Sequence, residues 1–589
     1  MFEKRINIAV WVVIMVFVLL SIRIWYLQII SGEKYRMISE NNRLRIIKTP
    51  APRGIIFDRN NIPLVKNIPV FSVSINPENI AAIDRESLAE MLGIPVEEIT
   101  EKFDKKDNSS FVPIKLKQGL GLVEVSKIEA RKSDFPGLFV ETEIGREYIY
   151  GKTGGHVIGY LGKITPEQIK NPDLKNFPPD ALIGQWGIEA LYDAALRGIP
   201  GERIIEVDAI GRELRLIQHR QAVKGDDITL SIDINIQHAV EKSFGTKAGA
   251  LVAIKPSTGE VLALESLPSF DPNLFASGVM SDDWRTLIED KKTPMLNRAL
   301  QSQYPPGSTF KIITAIAALE EKVITPEARV NCSGGISYGK WTFGCWKKGG
   351  HGSVNLHKAL VESCDVYFYE VGKRLGIDKI HKYATALGLG EPTGVSLYPI
   401  KERSGLIPST IWKKEKRKQQ WYLGETYNAA IGQGYVTATP VQMTVMLAAV
   451  LNGGNVYSPS FIKDATPRML KSLKLSEETR RLVADALSGV VNETGGTARS
   501  AQSSITMIGG KTGTAQVVSK GKEAGGKFND HAWFIAYAPT ENPEIAMTVF
   551  VEHGGHGGSA AAPIAKKAIE AYFKKPKPKS ELKTDDAKN

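Results

Sequence analysis

The apolar and polar positions are unevenly distributed along the chain. IAVWVVIMVFVLLSI runs from Ile8 to Ile22, and apolar character continues through Ile24, Trp25, Tyr26, Leu27, Ile29 and Ile30. Between Ile6 and Ile30 only Asn7, Arg23 and Gln28 interrupt strongly. A helix of that length crosses a hydrocarbon core of about 30 Å. Trp25 and Tyr26 stand where an interfacial aromatic belt is expected. A cleaved signal peptide would have a shorter apolar stretch followed by a small-residue cleavage site. SIRIWYLQII has no such site, so an uncleaved anchor is favoured. Lys4 and Arg5 place the short N-terminal side in the cytoplasm and the remainder outside it. No second span of comparable length follows.

Beyond the anchor the pattern is that of a globular mixed protein. From about Ser31 to Arg220, short strand-like and helical stretches mix: VFSVSI (Val70 to Ile75) alternates as a strand, and Glu86 to Met91 has helical spacing. The character changes near Gly225. DDITLSID (Asp226 to Asp233) predicts a strand and NIQHAVEKSF a helix. GALVAIKPSTGEVLALES (Gly249 to Ser266) predicts two strands joined by a turn at Ser257-Thr258-Gly259. Helices and strands alternate to Phe573, and the charged, Pro-containing KKPKPKSELKTDDAKN predicts a disordered tail. The charge run KKEKRKQQ (Lys413 to Gln420) predicts a solvated loop or face. The expected organisation is a cytoplasmic N-terminus (1–5), an anchor (6–30), a non-catalytic domain (31–220), a catalytic domain (221–573) and a tail (574–589). No internal repeat is visible.

Composition narrows the classes. With 589 residues, 42% hydrophobic and 24% charged, the chain is not wholly disordered, collagen-like or a polytopic membrane protein. Three cysteines exclude a disulfide-stapled scaffold. The net charge of +11 suits an anionic surface or polymer. No zinc-finger spacing, RNA-binding aromatic signature or P-loop accompanies it, so no nucleic acid partner is expected.

Chemistry concentrates in three places. In YPPGSTFKIITAIAALE, Pro305, Pro306 and Gly307 stop the preceding segment, and an Ala-rich helix follows. Ser308 falls at its start, with Lys311 three residues on, so hydroxyl and amine share a face. A serine is a weak nucleophile until a neighbour takes its proton, and a partly desolvated lysine can do this. Alone, Ser-x-x-Lys also fits a capped helix with a surface lysine. Ser363-Cys364-Asp365 ends a predicted helix, NLHKALVE. Lys511-Thr512-Gly513-Thr514 opens a predicted strand, TAQVV, after Gly509 and Gly510, and supplies a cation and hydroxyls for a carboxylate. Ser-x-x-Lys, Ser-x-Asn/Asp and Lys-Thr-Gly in that order are the signature of penicillin-binding proteins and serine β-lactamases.

On these motifs the chain resembles the class B penicillin-binding proteins over nearly its whole length. PAPRGIIFDRN (Pro50 to Asn60) and GQWGIEALYDAALRGIPG (Gly184 to Gly201) with EVDAIGRE are similar to that class's pedestal motifs. NRALQSQYPPGSTFK, YNAAIGQGYVTATPVQ (Tyr427 to Gln442) and HAWFIAYAP (His531 to Pro539) are similar to its transpeptidase motifs. Asp365, and the Gly350 to Gly352 segment GHG, resemble the elongation-type branch. The resemblance implies an α/β (α+β) transpeptidase domain with a central antiparallel sheet flanked by helices, an elongated mixed α/β pedestal and one N-terminal transmembrane helix. It implies peptidoglycan D,D-transpeptidation through a serine acyl-enzyme, with β-lactams as acylating inhibitors. Ser308 attacks the penultimate D-Ala carbonyl of a stem peptide, and Lys311 is the general base. Ser363 relays a proton to the leaving amine, Asp365 orients Ser363 and Lys311, and Lys511, Thr512, Gly513 and Thr514 bind the terminal carboxylate. Arg53, Asp58, Glu189 and Arg197 are expected to be structural or regulatory. Expected partners are a membrane SEDS glycosyltransferase and a pedestal-binding regulator, and the expected location is the bacterial cytoplasmic membrane, single-pass, with catalysis outside. Alternatives are a division-type class B transpeptidase and a non-enzymatic wall-synthesis scaffold or β-lactam sensor.

All three cysteines lie in one stretch, with His351 between the last two: Cys332, Cys345, His351, Cys364. Three thiolates and an imidazole are a complete structural zinc set. The resemblance implies that elongation-type relatives can hold a zinc near here, with carboxylates at some positions, and the correspondence is firmest at His351 and Cys364. Three readings stand: a structural zinc, with no cofactor for the chemistry; a Cys332–Cys345 disulfide with Cys364 a buried thiol; or three unconnected core residues.

Overall fold

The computed structural model describes residues 2–104, 113–172, 174, 181–207, 213–276, 281–516 and 529–574, so the expected tail, apart from Lys574, lies outside the described residues. Phe2–Trp25 is one α-helix, continued by a π-helical turn at Tyr26–Ile30 and a helix at Gly32–Arg43. Lys4–Ile30 is long and apolar enough to cross a membrane, and none of it is buried against protein. An apolar surface of that extent is stable in lipid, where the backbone bonds of a helix are satisfied internally.

The chain divides into two compact units. The first comprises Met1–Gly54, Pro69–Ile144 and Arg197–Asp226. It contains an antiparallel three-stranded sheet in the order Leu44–Thr49, Gly201–Val207, Glu213–Arg220. The expected strand at 70–75 is the latter half of Pro63–Ile75 and pairs antiparallel with Ile114–Leu120. The expected helix is Arg85–Leu92, started by Asp84, whose carboxylate accepts from the Glu86 N–H at 3.2 Å. A small core of Val73, Leu88, Leu92, Ile99 and Leu116 holds these elements together.

The second unit comprises Ile55–Ile68, Gly145–Leu196 and Asp227–Asn589. Its centre is an antiparallel sheet in the order Val261–Leu267, Gly249–Ile254, Ile545–Val551, His531–Ala538, Gly509–Ala515. Strand side chains alternate between faces. Ala250, Val252 and Ile254 enter one apolar cluster, and Leu251 and Ala253 enter the other. Trp533, Ile535 and Tyr537 alternate with Ala532, Phe534 and Ala536 in the same way. Both faces are covered, which is why these strands read as continuous apolar runs. Helices Ile234–Phe244 and Ala562–Phe573 belong to one cluster, and Lys311–Glu320 and Pro440–Leu451 to the other.

Two local expectations change. DDITLSID contributes only Ile228–Thr229 to a strand, because Asp233 turns the chain into the next helix by accepting from the Asn235 N–H at 2.9 Å. The charge run is not wholly solvated. Lys413 is buried, paired with Glu425, and its amine lies 5.7, 5.0 and 6.0 Å from the rings of Trp421, Tyr422 and Tyr435. Lys414 to Gln420 are exposed, as expected.

Candidate active site

The nucleophile segment starts in a 3₁₀ turn, Gly307–Phe310, and only then becomes the α-helix Lys311–Glu320. Ser308 therefore lies one turn before the α-helix, half-buried, and Lys311 is its first residue, fully buried. Gly307 has φ +57°, and a Cβ there would stand 2.5 Å from Thr514 O. Glycine alone permits the serine turn to abut the strand carrying Thr514. The Gly307 N–H donates to Gly432 O at 2.9 Å, and Gln433 Nε2 donates to Thr514 O at 3.0 Å. These bonds fix the turn between two neighbours.

The Ser-x-Asp element is a helix stop followed by a helix start. Asn355 caps Leu356–Val361. The Cys364 N–H then donates back to Ala359 O at 2.9 Å, while Ser363 adopts φ +57°. This six-to-one closure with a left-handed residue is a Schellman stop, a place usually held by glycine. Asp365 opens the next helix, Asp365–Leu375. The abrupt stop and restart turn Ser363 and Asp365 toward Lys311. Lys311 Nζ donates to Ser363 O at 2.8 Å, Ser363 Oγ at 3.2 Å and Asp365 Oδ1 at 2.7 Å. The aspartate at this position thus makes a buried ion pair with Lys311.

Lys511 reaches the same hydroxyl from the third motif. Its Nζ donates to Ser363 Oγ at 2.9 Å and to Thr512 O at 3.2 Å. Burial pushes the Lys511 ammonium well below its ordinary range; the charge of Lys311 adds to this, and Asp365 opposes it. Lys511 to Thr514 lie within Gly509–Ala515, the outermost strand of the sheet, so one row of its backbone groups faces away from the ladder. A Cβ on Gly513 would meet Pro306 O at 2.6 Å, which keeps this strand against the serine turn. The Thr512 hydroxyl is 2.7 Å from that of Thr497. Val517 and Val518 of the expected strand lie outside the described residues.

The four sulfur and imidazole ligands also converge. Cys332, Cys345, His351 and Cys364 are buried, and their ligand atoms all lie within 4.8 Å of one another. The cysteines are free thiols, not a disulfide. His351 Nδ1 is 3.6 Å from Cys332 Sγ and 3.5 Å from Cys345 Sγ. The Cys364 thiol donates toward Cys345, holding the Cys345 thiol below its ordinary range and pushing Cys364 up. Bond lengths to zinc of about 2.3 Å for sulfur and 2.05 Å for nitrogen, at a tetrahedral angle, put S and N roughly 3.6 Å apart. The donor set and these two separations fit that ion.

Three residues that sequence reasoning did not single out belong to the site. Gln433 and Thr497 secure the outer strand, and Trp346 donates its backbone N–H to Asp365 Oδ2 at 2.9 Å. Gln433 lies inside the recognised segment Tyr427 to Gln442, whereas no motif marked Trp346 or Thr497.

Residues 249–570 match the penicillin binding protein transpeptidase domain, and residues 48–230 match the penicillin-binding protein dimerisation domain. The chain is 34% identical to the peptidoglycan D,D-transpeptidase MrdA of Haemophilus influenzae, over 99% of this chain and 93% of the relative. It is similar to the penicillin-binding protein PBP2 of Helicobacter pylori, solved in complex with MreC, with TM-score 0.78 and 30% identity over 90% of this chain and 98% of that one. A chain of a peptidoglycan synthase complex, solved in a study of coordinated polymerization and crosslinking, matches with TM-score 0.71 and 32% identity over 97% and 98%.

Proposed function

Since the chain belongs to the class B penicillin-binding proteins and is a serine-type peptidoglycan D,D-transpeptidase of the elongation type, we propose that Ser308, Lys311, Ser363, Asp365 and the Lys511-to-Thr514 strand carry its reaction. Ser308 Oγ attacks the carbonyl carbon of the penultimate D-Ala while the Lys311 amine takes its proton. The C–N bond breaks, and the proton reaches the departing D-Ala amine through Ser363. The Ser363 oxygen accepts from both lysines, which leaves its own O–H free to donate to the substrate. An amine of a second stem peptide then attacks the ester, forms the cross-link and returns the proton to Ser308. With a β-lactam, the same attack opens the ring amide. The N–H groups of Ser308 and Thr514 stabilise the oxyanion, and the outer strand receives the substrate backbone as an added strand. The terminal carboxylate lies against Lys511, Thr512, Gly513 and Thr514; its negative charge offsets the burial of the Lys511 ammonium. Asp365 holds Lys311 in place.

The observation that carries this reading is the convergence of Lys311 and Lys511 on one Ser363 hydroxyl, both amines fully buried. Intact-mass analysis after β-lactam treatment tests it. Wild-type protein gains the mass of one β-lactam and Ser308→Ala gains none; a labelled Ser308→Ala protein would refute the nucleophile.

We also propose that Cys332, Cys345, His351 and Cys364 hold a structural zinc. The ion would supply a closed tetrahedral anchor and take no part in the chemistry. Cys364 lies between Ser363 and Asp365, so fixing its sulfur fixes the turn that presents both polar groups. Cys332, Cys345 and His351 pin the glycine-rich insertion between them. Cys345→Ser lowers bound zinc by elemental analysis and lowers stability and acylation together; a metal-free preparation with full acylation would refute the site.

The domain reading places the anchor at 6–30, a pedestal at 31–220, and the transpeptidase at 221–573. The helix Lys4–Ile30 supports a single-pass membrane anchor, and Lys4 and Arg5 before it favour catalysis outside the bacterial cytoplasmic membrane. The relatives solved with MreC and within a peptidoglycan synthase complex support a regulator and a synthase partner; the family resemblance suggests the pedestal as the regulator's site and a membrane glycosyltransferase as the synthase. Leu214, Leu216 and Ile217, exposed on Glu213–Arg220, offer the first unit an apolar docking strip. Pull-down by a tagged membrane glycosyltransferase, lost in a Leu216→Asp/Ile217→Asp variant, tests that surface.

A further inference from the structure

The Ser-x-Asp turn is held by two donors that share the same acceptors. Lys311 Nζ donates to Ser363 O at 2.8 Å and to Asp365 Oδ1 at 2.7 Å. Trp346 donates its indole Nε1–H to Ser363 O at 3.1 Å and to Glu362 O at 3.1 Å, and its backbone N–H to Asp365 Oδ2 at 2.9 Å. One carbonyl and one carboxylate therefore each receive a bond from the lysine and a bond from the tryptophan. The indole ring is half-exposed and packs edge-on to His351, with centroids 5.6 Å apart.

The pairing matters because Lys311 must change its proton count. As an ammonium it has three N–H donors, and three acceptors are in reach: Ser363 O, Ser363 Oγ and Asp365 Oδ1. As the base that receives the Ser308 proton it has two, and one acceptor loses its bond from Lys311; Ser363 Oγ keeps the bond from Lys511, whereas Ser363 O and Asp365 Oδ1 have no second lysine among the described residues. A buried acceptor left bare is unfavourable, and the turn would be free to shift toward another donor. Ser363 is also in the left-handed region, where a non-glycine residue persists only if its surroundings over-determine it. The Trp346 donors do not titrate, so they hold Ser363 O and the Asp365 carboxylate in both states of Lys311.

We propose that Trp346 is a positioning residue for acylation: its indole N–H holds the left-handed Ser363 turn in register while Lys311 gains and loses a proton. This rests on the reading of Ser308 as nucleophile and Lys311 as base. A role in packing the insertion against His351 would need the ring but not the N–H, and the two roles separate on that atom.

The experiment uses full-length protein in detergent and a fluorescent penicillin, with the non-covalent constant K and the acylation rate k2 resolved by stopped flow. Trp346→Phe keeps a ring and removes the donor. A second variant carries benzothienylalanine at 346, which keeps the indole shape with sulfur in place of N–H. In both, k2 is expected to fall about tenfold, equal to about 1.4 kcal/mol, with K within about twofold of wild type and the melting temperature nearly unchanged. A k2 within about twofold of wild type in both variants would overturn the inference. So would a rise in K at unchanged k2, which would make the indole a ligand contact, or a loss in Trp346→Phe that the benzothienylalanine variant does not share, which would make ring shape the cause. Acylation of Ser308→Ala, or none of wild type, would fail the functional reading itself; normal wild-type acylation with an unaffected Trp346→Phe fails only the role of Trp346.

Discussion

Ser363 stands where stability and chemistry ask for different residues, and two substitutions separate them. Its φ of +57° lies in the left-handed region, which is about 1–2 kcal/mol unfavourable for a residue with a Cβ. Glycine escapes that strain but loses about 0.5–1 kcal/mol through the greater freedom of the unfolded chain. The balance makes Ser363→Gly more stable than Ser363→Ala by about 0.5–1 kcal/mol. Both variants remove the hydroxyl that accepts from Lys311 at 3.2 Å and Lys511 at 2.9 Å. Leaving such buried donors without an acceptor costs about 1–3 kcal/mol. Ser363→Ala is therefore expected to be less stable than wild type by about 1–3 kcal/mol, and Ser363→Gly to recover part of that. The acylation rate falls by about 10²–10⁴ in both if the hydroxyl relays the proton. Denaturant titration of full-length protein in detergent and acylation by a fluorescent penicillin measure the two quantities on the same samples. A glycine variant less stable than the alanine variant would refute the left-handed strain at this turn. Wild-type acylation in either would remove Ser363 from the proton path.

Other perturbations follow from the same geometry. Lys311→Ala leaves the Asp365 carboxylate without its ion-pair partner; it should lose about 3–5 kcal/mol of stability and about 10²–10⁴ in acylation rate, while Lys311→Ala/Asp365→Asn regains stability in a thermal melt but not acylation. Glu189 and Arg146 form a buried pair at 2.7 Å, so Glu189→Ala should destabilise by about 3–5 kcal/mol, and an unchanged melting temperature would contradict it. His156, fully buried with Nε2 donating to Pro294 O at 2.9 Å, is held down at about 4 by burial first. Its folded-state value lies below the unfolded value of about 6.5, so its contribution is complete above pH 6.5 and is lost as pH falls through about 4, by up to roughly 3 kcal/mol. His156→Phe should flatten the stability profile across that window, and an unaltered profile would refute the assignment.

Much of the fold was legible because its signals are local. The anchor, the helix Ile234–Phe244 and the strand pair Gly249–Ile254 with Val261–Leu267 each follow from a run of apolar residues and its punctuation. The composition of the two units was not legible. Ile56–Phe57 joins the second unit by pairing in parallel with Ile228–Thr229, backed by a bond from the Ile55 N–H to Asp227 Oδ1 at 2.7 Å. Two-residue ladders between segments far apart in sequence have no periodicity to read. Lys413 was misread for a similar reason: its neighbours in sequence are charged, but the residues that bury it are Trp421, Tyr422, Glu425 and Tyr435, brought back by a later turn of chain.

At the site, residue types and their expected roles were legible, and the backbone that presents them was not. Spacing places Ser308 and Lys311 on one face, and the resemblance adds Asp365 as the group that orients Lys311 and Ser363. The fold commits the Lys311 amine to three acceptors on the Ser-x-Asp turn. That turn could not be foreseen, because Val361-Glu362-Ser363-Cys364-Asp365 contains no glycine to announce a left-handed stop. A glycine there would relieve the strain but could bring no hydroxyl between the two buried amines. The serine is therefore held in a conformation it disfavours by the six-to-one bond from Cys364 to Ala359 and by the amines themselves. Cys364 belongs to the sulfur cluster as well. Its backbone N–H closes the turn while its sulfur lies in the cluster, so the proposed zinc site and the turn that presents the Ser363 hydroxyl share one residue.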